Sequence, residues 1–562
     1  MKSRFILITM FLFSVFASGV FAQGATMRVL TYNGPANGVD EVTGITMDPY
    51  GNVYVTGYSK GSNTDEDFAT MKFNNTGDFL WVDRFDGTGH YTDRAVAIGT
   101  DMFGNVYVTG WAHMEPGDEI LCGTIDYVTI KYDTYGNRQW VKVYNGTGSG
   151  DDIPTGMVVD RFGNVFVTGS SMSSSNHQDY VTIKYETDGT RDWVARYDGP
   201  SHNVDEAKGI ALDLNGNVFV TGNSYKSGSA KDYVTVKYNP QGQQQWAKNY
   251  NGPANSDDIA YAVATDVNGA CFVTGASRGS GSNFDYATVK YNPNGSQVWV
   301  KRYNGTGNNV DEAHGIILDP YGFTYVTGFS MGSGSSYDYA TLRYDPSGNQ
   351  LWVSRYNGQA NMMDKAWDIG LIKRTCPGTN DYPCWNFEVY VTGQSQGTSS
   401  GYDFLTVKYD EDGNLKWHNS YSSSGNVEDV ATKLTLRDDF GYLFAAGRVN
   451  NNYGIVQISN RTSQFDNNNN VKGIPSEFSL SQNYPNPFNP STVISYGIPK
   501  DAYVDITVYD LLGKKVSSLV NEYKPAGSYN VTFNAANLPS GTYIYTIKAG
   551  SYVSSKKMVL MK

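Results

Sequence analysis

Few side chains in this sequence have the type and spacing for covalent chemistry. The six histidines, His90, His113, His177, His202, His314 and His418, stand apart, and none forms the His-Glu-x-x-His pair of a zinc hydrolase. No Cys-x-x-Cys occurs either. Residues 397–401 (GTSSG) spell a nucleophile elbow around Ser399. Such an elbow needs a strand turning into a helix, whereas this copy falls in a Ser/Gly-rich loop, so no catalytic residue is expected. Residues 410–414 (DEDGN) carry part of a calcium-loop pattern. The corresponding places elsewhere read DPSGN and NPNGS, which a tight turn explains.

Two recurring sets carry more weight. An aspartate returns as Asp40, Asp93, Asp152, Asp205, Asp258, Asp311, Asp364 and Asp429, each opening a predicted strand. If those strands line a channel, the eight carboxylates ring one mouth of it. Their structural role is to accept backbone N–H groups in the preceding loop. The alternative is a cation-attracting rim, for which calcium is the one candidate cofactor. Three residues after each aspartate stand Thr43, Val96, Thr155, Lys208, Tyr261, His314, Trp367 and Thr432, while neighbouring positions read as Ala, Gly or Ile. Four consecutive copies thus put Lys208, Tyr261, His314 and Trp367 at one equivalent spot. Large polar and aromatic groups converging there form a candidate ligand-binding patch; drift at a tolerant position is the competing account. Trp111, His113 and Glu115, in a loop insertion, are expected on the same face.

The elements that position these residues repeat. GNVYVTG occurs twice, at 51–57 and 104–110, with six looser copies down to 441–447. The closing glycines Gly169, Gly222, Gly275 and Gly328 stand 53 residues apart. A second motif of the DYVTVKY kind follows each glycine, and a tryptophan (Trp81, Trp140, Trp193, Trp246, Trp299, Trp352, Trp417) stands 14 residues after its aspartate. Each unit therefore holds four short strands, A to D, joined A to B and C to D by Asp/Asn-x-x-Gly turns. Aspartate bonds the turn backbone and glycine accepts positive φ. Four-stranded units at this period predict an all-β fold, an eight-bladed β-propeller, with seven blades as the alternative. The eighth unit, 428–459, lacks strand D, and RVLTYNG at 28–34 reads as that missing strand, with Arg28 at the tryptophan position. The N-terminal strand is thus expected to close the ring beside 455–458, leaving no long open edge.

The VYVTG, DYATVKY and Trp elements resemble the secreted β-propeller repeat family known as SBBP repeats, over roughly 28–459. That resemblance implies the fold and says little about activity. The D-x-x-G-x-x-x-W element also looks like the tryptophan-docking motif of quinoprotein dehydrogenases, which are eight-bladed. Such enzymes commonly carry calcium and an adjacent cysteine pair. No adjacent cysteines exist here, so no cofactor is expected.

The two ends concern export. Residues 1–22 read as a signal peptide, with Lys2 and Arg4 before the apolar run 5–16 and Ala22 at the cleavage site. No later stretch is apolar enough to span a membrane. In an oxidising compartment a disulfide between Cys376 and Cys384 is expected. Cys271 reads as a buried apolar residue. A net charge of −12 argues against a nucleic-acid partner. The repeats are taken to fill 23–460, followed by an Asn-rich linker at 461–474 and a domain at 475–562. There, Val504, Ile506 and Val508 alternate with Asp505 and Thr507, and about seven short strands suit a small Ig-like β-sandwich. NYPNPFNPST (483–492), VYDLLGKKV (508–516), LPSGTYIYTIKAG (538–550) and the final KKMVLMK resemble the type A C-terminal sorting domain of the type IX secretion system. This implies delivery across the outer membrane and surface attachment or release, with that machinery as partner. The expected function is a binding module for an extracellular glycan or protein. An enzyme acting on a polymer at the channel mouth and a passive surface protein are the alternatives.

Overall fold

The structure, a computed structural model, describes most of residues 27–459 and 478–561; 115–123, 376–384, 399–400 and 438–441 are among the stretches outside the described set. The signal-peptide residues, the linker, Cys122 and the Cys376–Cys384 pair all lie outside the described residues. The chain divides into two compact units, 1–463 and 464–562. The described residues form strands and turns and no helix.

In the first unit they make eight four-stranded antiparallel sheets. Sheets one to seven each use four consecutive strands; in sheet six these are Asp311–Leu318, Thr324–Met331, Tyr337–Tyr344 and Gln350–Tyr356. Strand B is buried on both faces, which is why its valines, threonines and aromatics form a near-continuous apolar run. Its glycine is required by packing: a Cβ on Gly57 would sit 1.9 Å from the Glu41 carbonyl oxygen of strand A. Strand D carries the exposed positions of an outer edge. In the A–B turn of sheet one, Asp48 Oδ1 accepts from the amides of Tyr50 (2.8 Å) and Asn52 (2.9 Å).

Neighbouring sheets are joined by repeated bonds. In sheets one to six the indole Nε1 of the tryptophan donates to a carbonyl in the C–D turn of the next sheet: Trp193 to Pro240 (3.0 Å), Trp246 to Pro293 (3.1 Å), Trp352 to Glu411 (2.8 Å). The glycine of that turn lies under the indole. A Cβ on Gly242, which has φ +77°, would meet the Trp193 ring at 2.5 Å. Tyrosines of strand C add a second link, with Tyr233 and Tyr286 hydroxyls donating to the carbonyls of Ala287 (3.2 Å) and Ala340 (3.0 Å) one sheet on.

Sheet eight contains Val430–Arg437, Tyr442–Val449 and Asn452–Ser459, and its fourth strand is Met27–Tyr32. The pairing runs Met27 with Ile458 to Tyr32 with Tyr453, so Val29–Tyr32 face 453–456, two residues earlier than the sequence suggests. Sheets eight and one share the contacts that join the others. Arg28 Nη1 donates to the Thr76 carbonyl (2.7 Å), standing in for the indole N–H, and the Tyr453 hydroxyl donates to the Ala69 carbonyl (3.1 Å).

The second unit holds two antiparallel sheets around one apolar core that includes Ile494, Val504, Ile506, Tyr545 and Met558. One sheet has three strands. The other has four: Lys515–Lys524, Ala502–Tyr509, Gly541–Ala549 and Tyr552–Leu560. Among the described residues no helix is long and apolar enough to cross a membrane.

Candidate ligand-binding site in the central cavity

In every sheet the pairing of strands A and B slips by one residue at the same place, between Val42 and Gly44 in sheet one and between Ala313 and Gly315 in sheet six. The skipped residues are Thr43, Val96, Thr155, Lys208, Tyr261, His314, Trp367 and Thr432. A β-bulge leaves its extra residue unpaired and re-aims its side chain. Here the bulge turns each side chain inward. Seven of the eight, all but Thr43, line a cavity of about 430 Å³, and Thr43 lines a contiguous cavity of about 320 Å³ to which all eight sheets contribute.

Seven of the eight bulge residues fall into two groups; Val96 of sheet two has no hydroxyl and belongs to neither. Thr43, Thr155 and Thr432 donate from Oγ1 to strand A of the next sheet, at the carbonyls of Ala95 (2.8 Å), Ala207 (2.9 Å) and Val42 (2.9 Å). Lys208, Tyr261, His314 and Trp367 give up that clasp, and the last three gather against one another. The His314 imidazole is stacked between the rings of Tyr261 (4.5 Å between centroids) and Phe329 (5.4 Å), and Trp367 meets its edge at 4.8 Å. Glu312 lies 3.3 Å from His314 Nε2 and accepts from the Tyr261 hydroxyl at 3.4 Å. Burial, and then the Glu312 charge, pushes that hydroxyl far above the ordinary phenol range, so it stays a donor. Trp367 Nε1 donates to Gln394 Oε1 (3.3 Å). Lys208 pairs with Glu206 at 3.3 Å. Burial would raise the Glu206 carboxyl, but Lys208, Asn223 and Lys231 outweigh it and hold it below the usual range.

The sequence reading missed two features. The position after the bulge was read as uniformly small, and six sheets do place Gly or Ala there. Sheets seven and eight place Asp368 and Lys433, and both side chains line the inner cavity. Burial raises the Asp368 carboxyl; Lys433 and the amides of Leu434 and Ile369 oppose it. Phe329 and Gln394 were also overlooked. Their signal was the residue after the VTG glycine, which varies as Tyr58, Trp111, Ser170, Asn223, Ala276, Phe329, Gln394 and Arg448.

The recurring aspartates do something else. All eight are at most 1% exposed, and none lines either cavity. Each points into its own D–A loop. Asp40, Asp205, Asp258, Asp311 and Asp364 accept from the amides of Gly34, Gly199, Gly252, Gly305 and Gly358 at 2.6–2.7 Å. Asp93, Asp152 and Asp429 accept from Gly87, Gly146 and Ser423 at 2.5 Å. The aspartates thus take the structural role that their residue type and position predict, accepting loop amides through Oδ2, and they line neither cavity. Burial raises Asp93, Asp205 and Asp364 to about 6, against the pull of these amides.

The other candidates lie elsewhere. Asp410 closes its turn through the amides of Asp412 (3.1 Å) and Asn414 (2.8 Å) and pairs with Lys416 (2.6 Å). Ser399 and Glu115 are outside the described residues. Trp111 lies near Arg94, and His113 Nδ1 contacts the Thr92 carbonyl (2.8 Å); neither residue lines the two cavities.

The family matches agree with this architecture. Residues 31–63, 139–175 and 193–227 match the β-propeller repeat family SBBP, and 482–561 match the secretion system C-terminal sorting domain. An uncharacterized WD repeat-containing protein of Acanthamoeba polyphaga mimivirus is 22% identical over 384 residues, which are 59% of this chain and 24% of that protein. The chain thus spans about a quarter of the length of this relative. Among solved structures, PorZ, a surface component of the type IX secretion system of Porphyromonas gingivalis, is similar at TM-score 0.35 and 13% identity, over 94% of this chain and 76% of PorZ. A putative gluconolactonase is similar at TM-score 0.26 and 12% identity, over 54% of this chain and 90% of that one. With SBBP β-propeller repeats in its first unit and a secretion system C-terminal sorting domain in its second, this chain is a secreted protein of the outer-membrane cell surface.

Proposed function

We propose that the eight sheets are the blades of a closed eight-bladed propeller and that its central cavity binds an extracellular glycan. The indole bonds from sheets one to six and the equivalent contacts between sheets eight and one support the ring. The propeller fills 23–460; an Asn-rich linker at 461–474 leads to an Ig-like sorting domain at 475–562. The observation that carries the binding reading is the break in the threonine set. Four consecutive blades exchange an inter-blade hydrogen bond for Lys208, Tyr261, His314 and Trp367, and three of these rings pack into one cluster. Aromatic faces cover the C–H faces of sugar rings, while Lys208, Glu312 and Gln394 offer donors and acceptors to hydroxyls. A stacked, hydrogen-bonded cluster is held ready for its ligand, which lowers the entropy cost of binding.

The test is a glycan array on the purified secreted protein, followed by calorimetric titration of the best binder. W367A and H314A should each weaken binding at least about tenfold, a loss of roughly 1.4 kcal/mol. Wild-type affinity in both variants would sink the cavity reading.

A further inference from the structure

A second site lies outside the central cavity, and the repeat itself shows what fits there. In sheets one, three, five and six, strand D carries an arginine at one register position: Arg84, Arg196, Arg302 and Arg355, opposite Ala69, Val181, Ala287 and Ala340 of strand C. Each guanidinium occupies the same cradle. Arg355 donates from Nη1 to Ser330 Oγ (2.6 Å) and the Tyr303 hydroxyl (3.1 Å), and from Nη2 to the Ser330 carbonyl (2.8 Å) and Asp338 Oδ2 (2.7 Å). Arg302 makes the same four contacts with Ser277 Oγ, Tyr250, the Ser277 carbonyl and Asp285. Arg84 and Arg196 reach the serine and aspartate of their own sheets in the same way.

Sheet seven keeps the cradle without the arginine. Ser395, Asp403 and Tyr356 hold the positions of Ser330, Asp338 and Tyr303, and the strand D position opposite Leu405 is Ser420. There a cavity of about 380 Å³ opens, lined by Tyr356, Ser395, Asp403, His418 and Ser420. Ser420 is exposed, so the cavity is reached from solvent. Sheet two, which also lacks the arginine, has lost the cradle as well: Ala112 replaces the serine and Val143 the arginine. Arginine and cradle disappear together there. Sheet four keeps Ser224, Asp232 and Tyr197 but carries Asn249 at the arginine position, whereas in sheet seven the smaller Ser420 stands there and the cavity opens. His418 adds a buried Nδ1 that takes no hydrogen bond from the described residues.

We infer that the sheet-seven cavity binds a guanidinium group supplied from outside, as an arginine side chain of a partner polypeptide or a free guanidino compound. In sheets five and six the serine hydroxyl, serine carbonyl, tyrosine hydroxyl and carboxylate together accept from both arms of one guanidinium. That set suits the guanidinium fork and not the point charge of an ammonium.

The full secreted protein is titrated with methylguanidinium and, in parallel, methylammonium, using ligand-observed NMR. Saturable methylguanidinium binding, at least tenfold tighter than methylammonium, is expected. S420R should seat its own guanidinium in the cavity and abolish that binding, S420A should retain it, and D403N should weaken it at least tenfold. Acetyl-arginine amide flanked by residues on both sides, binding tighter than methylguanidinium, assigns the group to a polypeptide; equal affinity assigns it to a free compound. Absence of saturable binding, equal binding of the two cations, or unchanged affinity in D403N overturns the assignment. The D403N arm decides the matter even if S420R fails to fold.

Discussion

The two sides of the central cavity share one backbone device and use it differently. In sheets one, three and eight the bulge residue is threonine, and its hydroxyl clasps the next sheet. In sheets four to seven the same bulge presents lysine, tyrosine, histidine and tryptophan to the cavity. Both sides keep the indole and tyrosine links farther out. The threonine clasp is therefore one bond among several at each junction, and losing it leaves the stack intact. A repeat fold that over-determines its interfaces can release one position per unit for binding, where an innermost strand already aims that residue at the cavity.

The largest effect is expected from removing the N-terminal strand that completes sheet eight, and with it the proposed ring. Deleting residues 27–32 should expose the ladder edge of 452–459 and the apolar residues behind it. The single cooperative melt should be lost and oligomers should appear in size-exclusion chromatography; an unaltered melt would mean that the N-terminal strand closes nothing. Next in size is the aromatic side. Y261A should weaken the array-selected glycan at least about tenfold while the melting temperature stays near wild type, since the side chain makes no clasp. Smaller effects belong to the threonine side. T43V, T155V and T432V should each cost about 1 kcal/mol in chemical denaturation and leave glycan affinity alone. The comparison sharpens in H314T, which places a threonine within reach of the Ala366 carbonyl: stability should hold or rise by up to about 1 kcal/mol as binding is lost.

The smallest expected effect is on pH. Asp93, Asp205 and Asp364 have folded-state values raised to about 6 by burial, against roughly 3.9 unfolded. Between those values the folded protein holds the extra protons, so stability falls as pH rises through 6 and is regained on acidification toward 4. Melting should be about 1–2 °C higher at pH 5.5 than at pH 7.5, and the triple variant D93N/D205N/D364N should flatten that slope. A slope of opposite sign would show that the loop amides outweigh burial.

Much of this was legible in the sequence for reasons that stay within one repeat. Turn chemistry, the two-residue alternation of strands and the 53-residue period are local, so strand content, the four-strand unit and the missing final strand followed from spacing. Arg28, at the tryptophan distance from Gly57, does reach the next turn as an indole would. The convergence of Lys208, Tyr261, His314 and Trp367 also followed from position in the period. The loop-amide role of the recurring aspartates followed from residue type and position as well. Whether they also face the cavity did not, because the direction of each side chain is set in a loop whose shape spacing does not specify.

Patterns read along the chain carry the repeat, its strand order and the sorting tail, because each is local. The bulge that turns eight side chains inward, the Asp368 and Lys433 pair behind them, and the sheet-seven cradle that lacks its arginine came from packing. Those features depend on atoms a whole repeat or more apart in sequence meeting within a few ångströms, and only packing brings them there.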